Sequence, residues 1–234
     1  VAATAAGAAY NDKNVARASK VNYTGVALTG AGAGNYAIAD TAQGGGTIAQ
    51  KELALALKGG ARFDKTYDGN DTVDQTLKKD ENYMLSNFVH GEGEGIALAR
   101  ATGKYADKNA GTGKTVTFDR LTLAGEGAGN YKLAADTLTT TGDIAKKTLT
   151  LEKTMGTQFT KTYNGDTAVT ERLRRGTNYT LEGIVEGEGA DIVALNESAA
   201  QGAYATKNAQ AAGKKQNVTF TNLALTGTGA ANYT

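Results

Sequence analysis

The chain has 234 residues, with 25 basic and 24 acidic side chains and a net charge of +1, so no overall field draws it to nucleic acid or to an anionic membrane. It has no cysteine, which excludes disulfides and thiolate metal sites, and no proline against 31 glycines, so glycine must make most of the turns. Hydrophobic residues are 40% and aromatics 7%, mostly tyrosine, which predicts a thin core of Leu, Val, Ile, Ala and Tyr. No apolar run approaches the ~18 residues of a membrane-spanning helix.

In chain order, the opening "VAATAAGAAY" lacks a basic leader and matches an internal repeat, so it is not read as a signal peptide. Val21 and Tyr23 alternate, then Val26 and Leu28 alternate in the opposite phase. "ELALAL" (52–57) is a period-two strand, and "KTYDGN" (65–70) is an Asx-Gly turn signal after a strand. "DTVDQTLKKDENY" (71–83) is the best helical candidate and predicts one short helical turn. The phase step returns between Val116/Phe118 and Leu121/Leu123, and between Val218/Phe220 and Leu223/Leu225, predicting a built-in bulge or tight bend.

The chain repeats itself. "KTYNGD" (161–166) answers "KTYDGN", and Tyr67 and Tyr163 lie 96 residues apart. Residues 51–98 align without a gap on 147–194, and "GTIAQKEL" (46–53) matches "GDIAKKTL" (142–149). A second signature ends in Asn-Tyr at Tyr36, Tyr131 and Tyr233; its third copy is three residues longer, around 211–216, which marks a hairpin tip. The expected organisation is the C-terminal half of a repeat at 1–50, a complete repeat at 51–146, and a repeat lacking its last strand at 147–234. The fold class expected is all-β, as tandem β-sandwich repeats of immunoglobulin-like character, with a β-grasp-like unit carrying one short helix as the alternative.

"KTYDGN", "YADKNAGTGKTVTFDRLTLAGEGAGNYKL" and "GDIAKK" together resemble the YDG-type repeats of bacterial filamentous haemagglutinin-like surface proteins. The resemblance covers essentially the whole chain. It implies structural stalk or fibre repeats of a large adhesin, extracellular or on the cell surface, exported with an outer-membrane secretion partner. The third copy departs from the pattern, with "ATKN" for "ADKN" and "GAANY" for "GAGNY".

Candidate sites are few. His90, the only histidine, is matched by Glu186 in the next repeat, so the copies share no histidine chemistry, and no nucleophile, acid and base are spaced as a set. Catalytic, cofactor-binding and metal-ligating residues are therefore all expected to be none, and the chain is not expected to be an enzyme. "GEGEG" (91–95) and "EGEGAD" (186–191) supply oxygen ligands that make calcium a candidate, although they lack an EF-hand spacing; a solvated loop is the main reading. Lys78–Lys79 and Arg174–Arg175 recur at one repeat position and could meet host or bacterial glycans multivalently, or simply keep an edge soluble. Asn35/Tyr36, Asn130/Tyr131 and Asn232/Tyr233 are read as a turn asparagine and a packed tyrosine, with sugar stacking as the other reading. Asn22, Asn70, Asn178, Asn196, Asn217 and Asn232 stand in glycosylation sequons. In "KTYDGN", Tyr67 is expected to anchor and Asp68-Gly69 to turn. Asn164 replaces Asp68 in the second copy, which suggests that the turn needs no carboxylate.

Overall fold

The computed structural model describes residues 1–99, 101–211 and 213–234. The chain is all-β: the described residues form short strands and three single 3-10 turns, with no α-helix. It divides into two compact units. The first gathers Val1–Arg62, Gln75–Gly103 and Thr117–Thr140; the second gathers Phe63–Asp74, Lys104–Val116 and Thr141–Thr234. The units are thus staggered against the repeat. "KTYDGN" and the hairpin around residue 110 fold together with the sequence copy that follows them.

In the first unit, strand Lys51–Leu57 lies between Tyr131–Leu133, which runs parallel to it, and Tyr83–Ser86, which runs antiparallel. Period-two alternation turns Leu53 fully inward, where it packs with Ile96 and Tyr131 under Phe88, Leu123 and Ala128. A separate antiparallel sheet places Lys20–Thr24 between Gly7–Tyr10 and Thr41–Gly45. In the second unit, Thr150–Lys153 pairs with Tyr179–Glu182 and Gln201–Tyr204 with Val218–Thr221, both antiparallel. Its core is Leu173, Tyr179, Leu181 and Leu195, backed by Phe159, Ile184 and Phe220. Here too Ile144–Ala145 pairs in parallel with Lys65–Thr66.

The phase step in the strands is a bend. Gly25, Arg120 and Asn222 occupy the same repeat position and all take left-handed backbone, with φ of 59°, 53° and 56°. One left-handed residue reverses which face the next side chains meet. The conformation suits glycine and disfavours a residue with a Cβ, by about 1–2 kcal/mol. Arg120 is exposed, so Arg120→Gly is expected to raise stability by about 0.5–1 kcal/mol in urea unfolding, with an unchanged m-value.

The helical turn expected over 71–83 does not form. Thr72 bridges Lys104, and the segment then closes a loop around Asn82. The Asn82 side chain accepts from the Lys78 amide at 2.8 Å and donates to the Thr76 carbonyl at 3.0 Å, while Asp80 takes a left-handed φ of 65°. The matching residues 167–179 do the same: Asn178 accepts from the Arg174 amide at 2.7 Å and Gly176 supplies the φ of 76°. A side chain that captures local backbone groups competes with the helix for them.

Candidate functional site

The most elaborate polar structure is the "KTYDGN" turn, and it is built around a lysine. Lys65 is buried, and its Nζ faces four acceptors: Asp68 Oδ1 at 2.7 Å, the Asn70 carbonyl and Oδ1 at 3.0 Å each, and the Thr72 carbonyl at 2.9 Å. The Tyr105 ring lies 5.6 Å from the same nitrogen. Left-handed Gly69, φ 84°, wraps the turn around the ammonium. Burial pushes the Asp68 carboxyl up, but hydrogen bonds from Lys65 and the Asn70 amide, with the ammonium charge, hold it below the usual carboxylate value.

The second copy repeats this cage. Lys161 Nζ contacts Asn164 Oδ1 at 2.8 Å, Asp166 Oδ1 at 2.6 Å, and the carbonyls of Asp166 and Ala168 at 2.8 and 3.0 Å. The hydrogen bond from Lys161 is the main cause holding Asp166 below its usual range. The reading of Asn164 as a turn position that has lost its charge is therefore corrected. "DGN" and "NGD" exchange Asp and Asn, and each turn keeps one carboxylate on its lysine.

Tyr67 points out of its turn to the following copy. Its hydroxyl donates to Glu188 Oε1 at 2.5 Å, and its ring meets Tyr233 edge-on with centroids 5.4 Å apart. Tyr233 donates to the other oxygen of Glu188 and accepts from the Val185 amide at 3.1 Å. The first unit has half of this arrangement: Tyr131 donates to Glu92 Oε2 at 2.5 Å and packs edge-on against Phe88. Glu92 and Glu188 belong to the acidic glycine loops expected to be solvated, so one acid of each loop has a defined structural use. The only sequence signal for it is that the loop recurs.

The asparagines of the second and third Asn-Tyr pairs are clamps. Asn130 Oδ1 accepts from the Val15 amide at 2.9 Å and its Nδ2 donates to Asn14 Oδ1 at 2.9 Å. Asn232 repeats this on the Ala110 amide at 2.8 Å and Asn109 Oδ1 at 3.3 Å. In each unit, a late asparagine of one copy thus grips the "KN" hairpin of the copy before it. Tyr131 and Tyr233 are buried, which leaves them no open ring face for a sugar; Tyr36 is 68% exposed.

The other candidates separate. His90 is exposed in a turn. Lys79 donates to the Gly93 carbonyl at 2.7 Å over the Phe88 ring, so only Lys78 of that pair faces outward, beside Glu81 at 3.2 Å. Asn178 and Asn232 are buried, so these sequons are closed in the folded chain; Asn70 is exposed, with its side chain hydrogen-bonded to Lys65 and Asp68. Asn22 and Asn196 are half-buried and Asn217 is exposed. Among the described residues, no three His, Asp or Glu side chains gather where they could hold a metal ion, and no helix is long and apolar enough to cross a membrane.

The buried tyrosines set an alkaline limit. Burial, then the hydrogen bond and charge of Glu188, push the Tyr233 hydroxyl up to about 12 and raise Tyr67 further. Burial, with several nearby aspartates, pushes Tyr105 up to about 12. A folded-state value above the ordinary value of about 10 gives stabilisation that is complete below pH ~10 and is lost as the pH rises through the folded value. Tyrosinate absorbance at 295 nm and loss of circular dichroism are therefore expected to rise together between pH ~10 and ~12. Full tyrosine titration with unchanged dichroism would refute this.

No curated protein and no solved structure matches the chain. The YDG domain matches it twice, over residues 49–140 and 145–234, and each match spans one lysine-caged turn, one acidic glycine loop and one Asn-Tyr pair. The chain therefore belongs to the YDG domain family and carries two copies of the domain.

Proposed function

We propose that these domains are structural stalk repeats of a large bacterial surface adhesin of the filamentous haemagglutinin-like kind. In this reading they are secreted through an outer-membrane partner and hold a binding region away from the cell. The repeats are spacers with no catalysis, and each is a sandwich-type β unit. The observation that carries the proposal is the sharing of side chains between consecutive copies. Tyr67 of one copy completes the Glu188–Tyr233 pair of the next, and Asn232 clamps back on Asn109 and Ala110. Both contacts lie inside the second compact unit, so a folded unit takes residues from two consecutive copies; interlocked stalk repeats use such sharing, and copies that each fold alone do not.

Small-angle scattering on chains of two, four and eight copies tests this. Maximum dimension is expected to grow linearly with copy number. Growth close to the square root of copy number, as for a flexible string, would overturn it. A glycan array probed with one copy and with three separates spacing from ligand binding: a signal rising steeply with copy number would favour multivalent glycan contact instead.

A further inference from the structure

We propose that the groove between Lys161–Tyr163 and the hairpin Gln201–Thr221 is a docking slot for an extended Thr-Gly-Asp-Ile-Ala strand. The same unit already shows such a strand seated. Ile144 and Ala145 pair in parallel with Lys65 and Thr66, and the Tyr67 amide donates to the Ala145 carbonyl at 2.8 Å. The Asp143 amide donates to Asp64 Oδ1 at 2.8 Å, its carboxylate accepts from the Gly113 amide at 2.8 Å, and Ile144 is buried.

The later copy has the same frame without the strand. Its turn is held to its hairpin by the Tyr204 amide on the Thr167 carbonyl at 2.8 Å, as Tyr105 is on Asp71 at 2.8 Å. Among the described residues strand Val218–Thr221 pairs only with Gln201–Tyr204, whereas its counterpart Gly111–Phe118 has a strand on each side. What remains is a groove of about 810 Å³. Tyr163 is 61% exposed where Tyr67 is 1% exposed, and Phe159, Tyr204 and Phe220 are half-buried where Phe63, Tyr105 and Phe118 are buried. The Tyr204 hydroxyl is buried without a partner; that of Tyr105 donates to the Phe63 carbonyl at 2.6 Å. An unpaired strand edge beside half-buried aromatics is a template for β-augmentation.

Charge selects the occupant. Lys153, Lys207, Lys214 and Lys215 line the groove, with Lys161 already paired to Asp166 at its side, and no acid lines it. Thr206 and Gln216 stand where Asp107 and Lys114 pair at 2.7 Å, so the hairpin lysines Lys214 and Lys215 gain no carboxylate from that position. The aspartate of an incoming Gly-Asp-Ile-Ala strand would supply one there. The inference rests on the stalk reading only for where the strand comes from, since in a tandem array the following copy would carry it.

The test uses the whole chain and a fluorescent peptide of residues 138–147, followed by anisotropy and amide chemical shifts. Saturable binding is expected, with shifts at Lys161–Tyr163 and Val218–Thr221, and Ile144→Asp in the peptide should weaken it at least tenfold. A second form of the chain is extended after Thr234 by a copy of residues 133–147; it decides the matter where the free peptide binds too weakly to detect. The extension is expected to raise Tm by several degrees, and the same extension carrying Ile144→Asp should not. Equal binding by Ile144→Asp or by an unrelated acidic peptide, shifts elsewhere, or an extension without effect on Tm would each overturn the slot. A seated strand in arrays that scatter as flexible strings would sink the stalk reading alone, and rods whose groove rejects the strand would sink the slot alone.

Discussion

Lys65→Met is expected to destabilise the second unit by about 2–4 kcal/mol, measured by denaturant unfolding. The substitution keeps most of the side-chain volume and removes the ammonium, so the effect reads charge and hydrogen bonding more than packing. Four oxygen acceptors converge on Lys65 Nζ, and two of them are backbone carbonyls that cannot turn away. Breaking a fully buried ion pair by removing one partner costs about 3–5 kcal/mol; Asp68 is about one-third exposed, and solvent reduces that figure. Lys161→Met is the internal control. Asp166 is 56% exposed and Tyr163 has no docked partner, so the same change there should cost less. Lysine to arginine at 65 should not rescue, because a planar guanidinium does not fit an enclosure shaped around a point charge.

That cage marks the limit of what the sequence discloses. The Asx-Gly turns and the period-two strands follow from residue pattern because each depends on neighbours near in sequence, and Tyr67, Tyr131 and Tyr233 show as anchors through their place in the recurring signatures, although what buries them is distant. Aligned position by position, Asp68 and Asn164 share only the chemistry of a turn former. The carboxylate is conserved by the turn, across Asp68 and Asp166, and only the lysine nitrogen shows that the two places are equivalent. The false helix at 71–83 has a similar origin: Val73 and Leu77 have helical spacing, but Asn82 and left-handed Asp80 decide the backbone. Least legible was the pairing of Tyr67 with Glu188, which joins residues of two copies. A repeat read one copy at a time cannot reveal a bond that crosses from copy to copy.

Gly142→Ala is expected to be more damaging than Lys65→Met, and Gly46→Ala at the matching place in the sequence much milder. Gly142 lies inside strand Leu138–Ala145, just before the two residues that pair with Lys65–Thr66. A Cβ there would fall within van der Waals contact of the Phe63 carbonyl oxygen and carbon, and 3.2 Å from Tyr105. The first two are backbone atoms, fixed on either side by the cage and the parallel pairing, so relief requires the strand to lift. Lifting it would strip Ile144 from the core and break the Tyr67 amide bond to Ala145. Overpacking of this kind costs more than the usual 1–3 kcal/mol because no side chain can absorb it, and about 4 kcal/mol or loss of the folded second unit is expected. Gly46 holds the matching place in "GTIA", but a Cβ there meets only side chains, Val21 Cγ2 at 2.6 Å and Tyr10 at 3.0 Å. Val21 is half-buried and stiff at χ1 and Tyr10 is 47% exposed, but both are side chains that can turn aside where the Phe63 backbone cannot, so about 1–2 kcal/mol is expected. Hydrogen exchange of the Tyr67 amide would read the result directly. Rapid exchange in Gly142→Ala but not in Gly46→Ala is the expected outcome, and equal protection in both would mean that the strand does not seat against Phe63 as described.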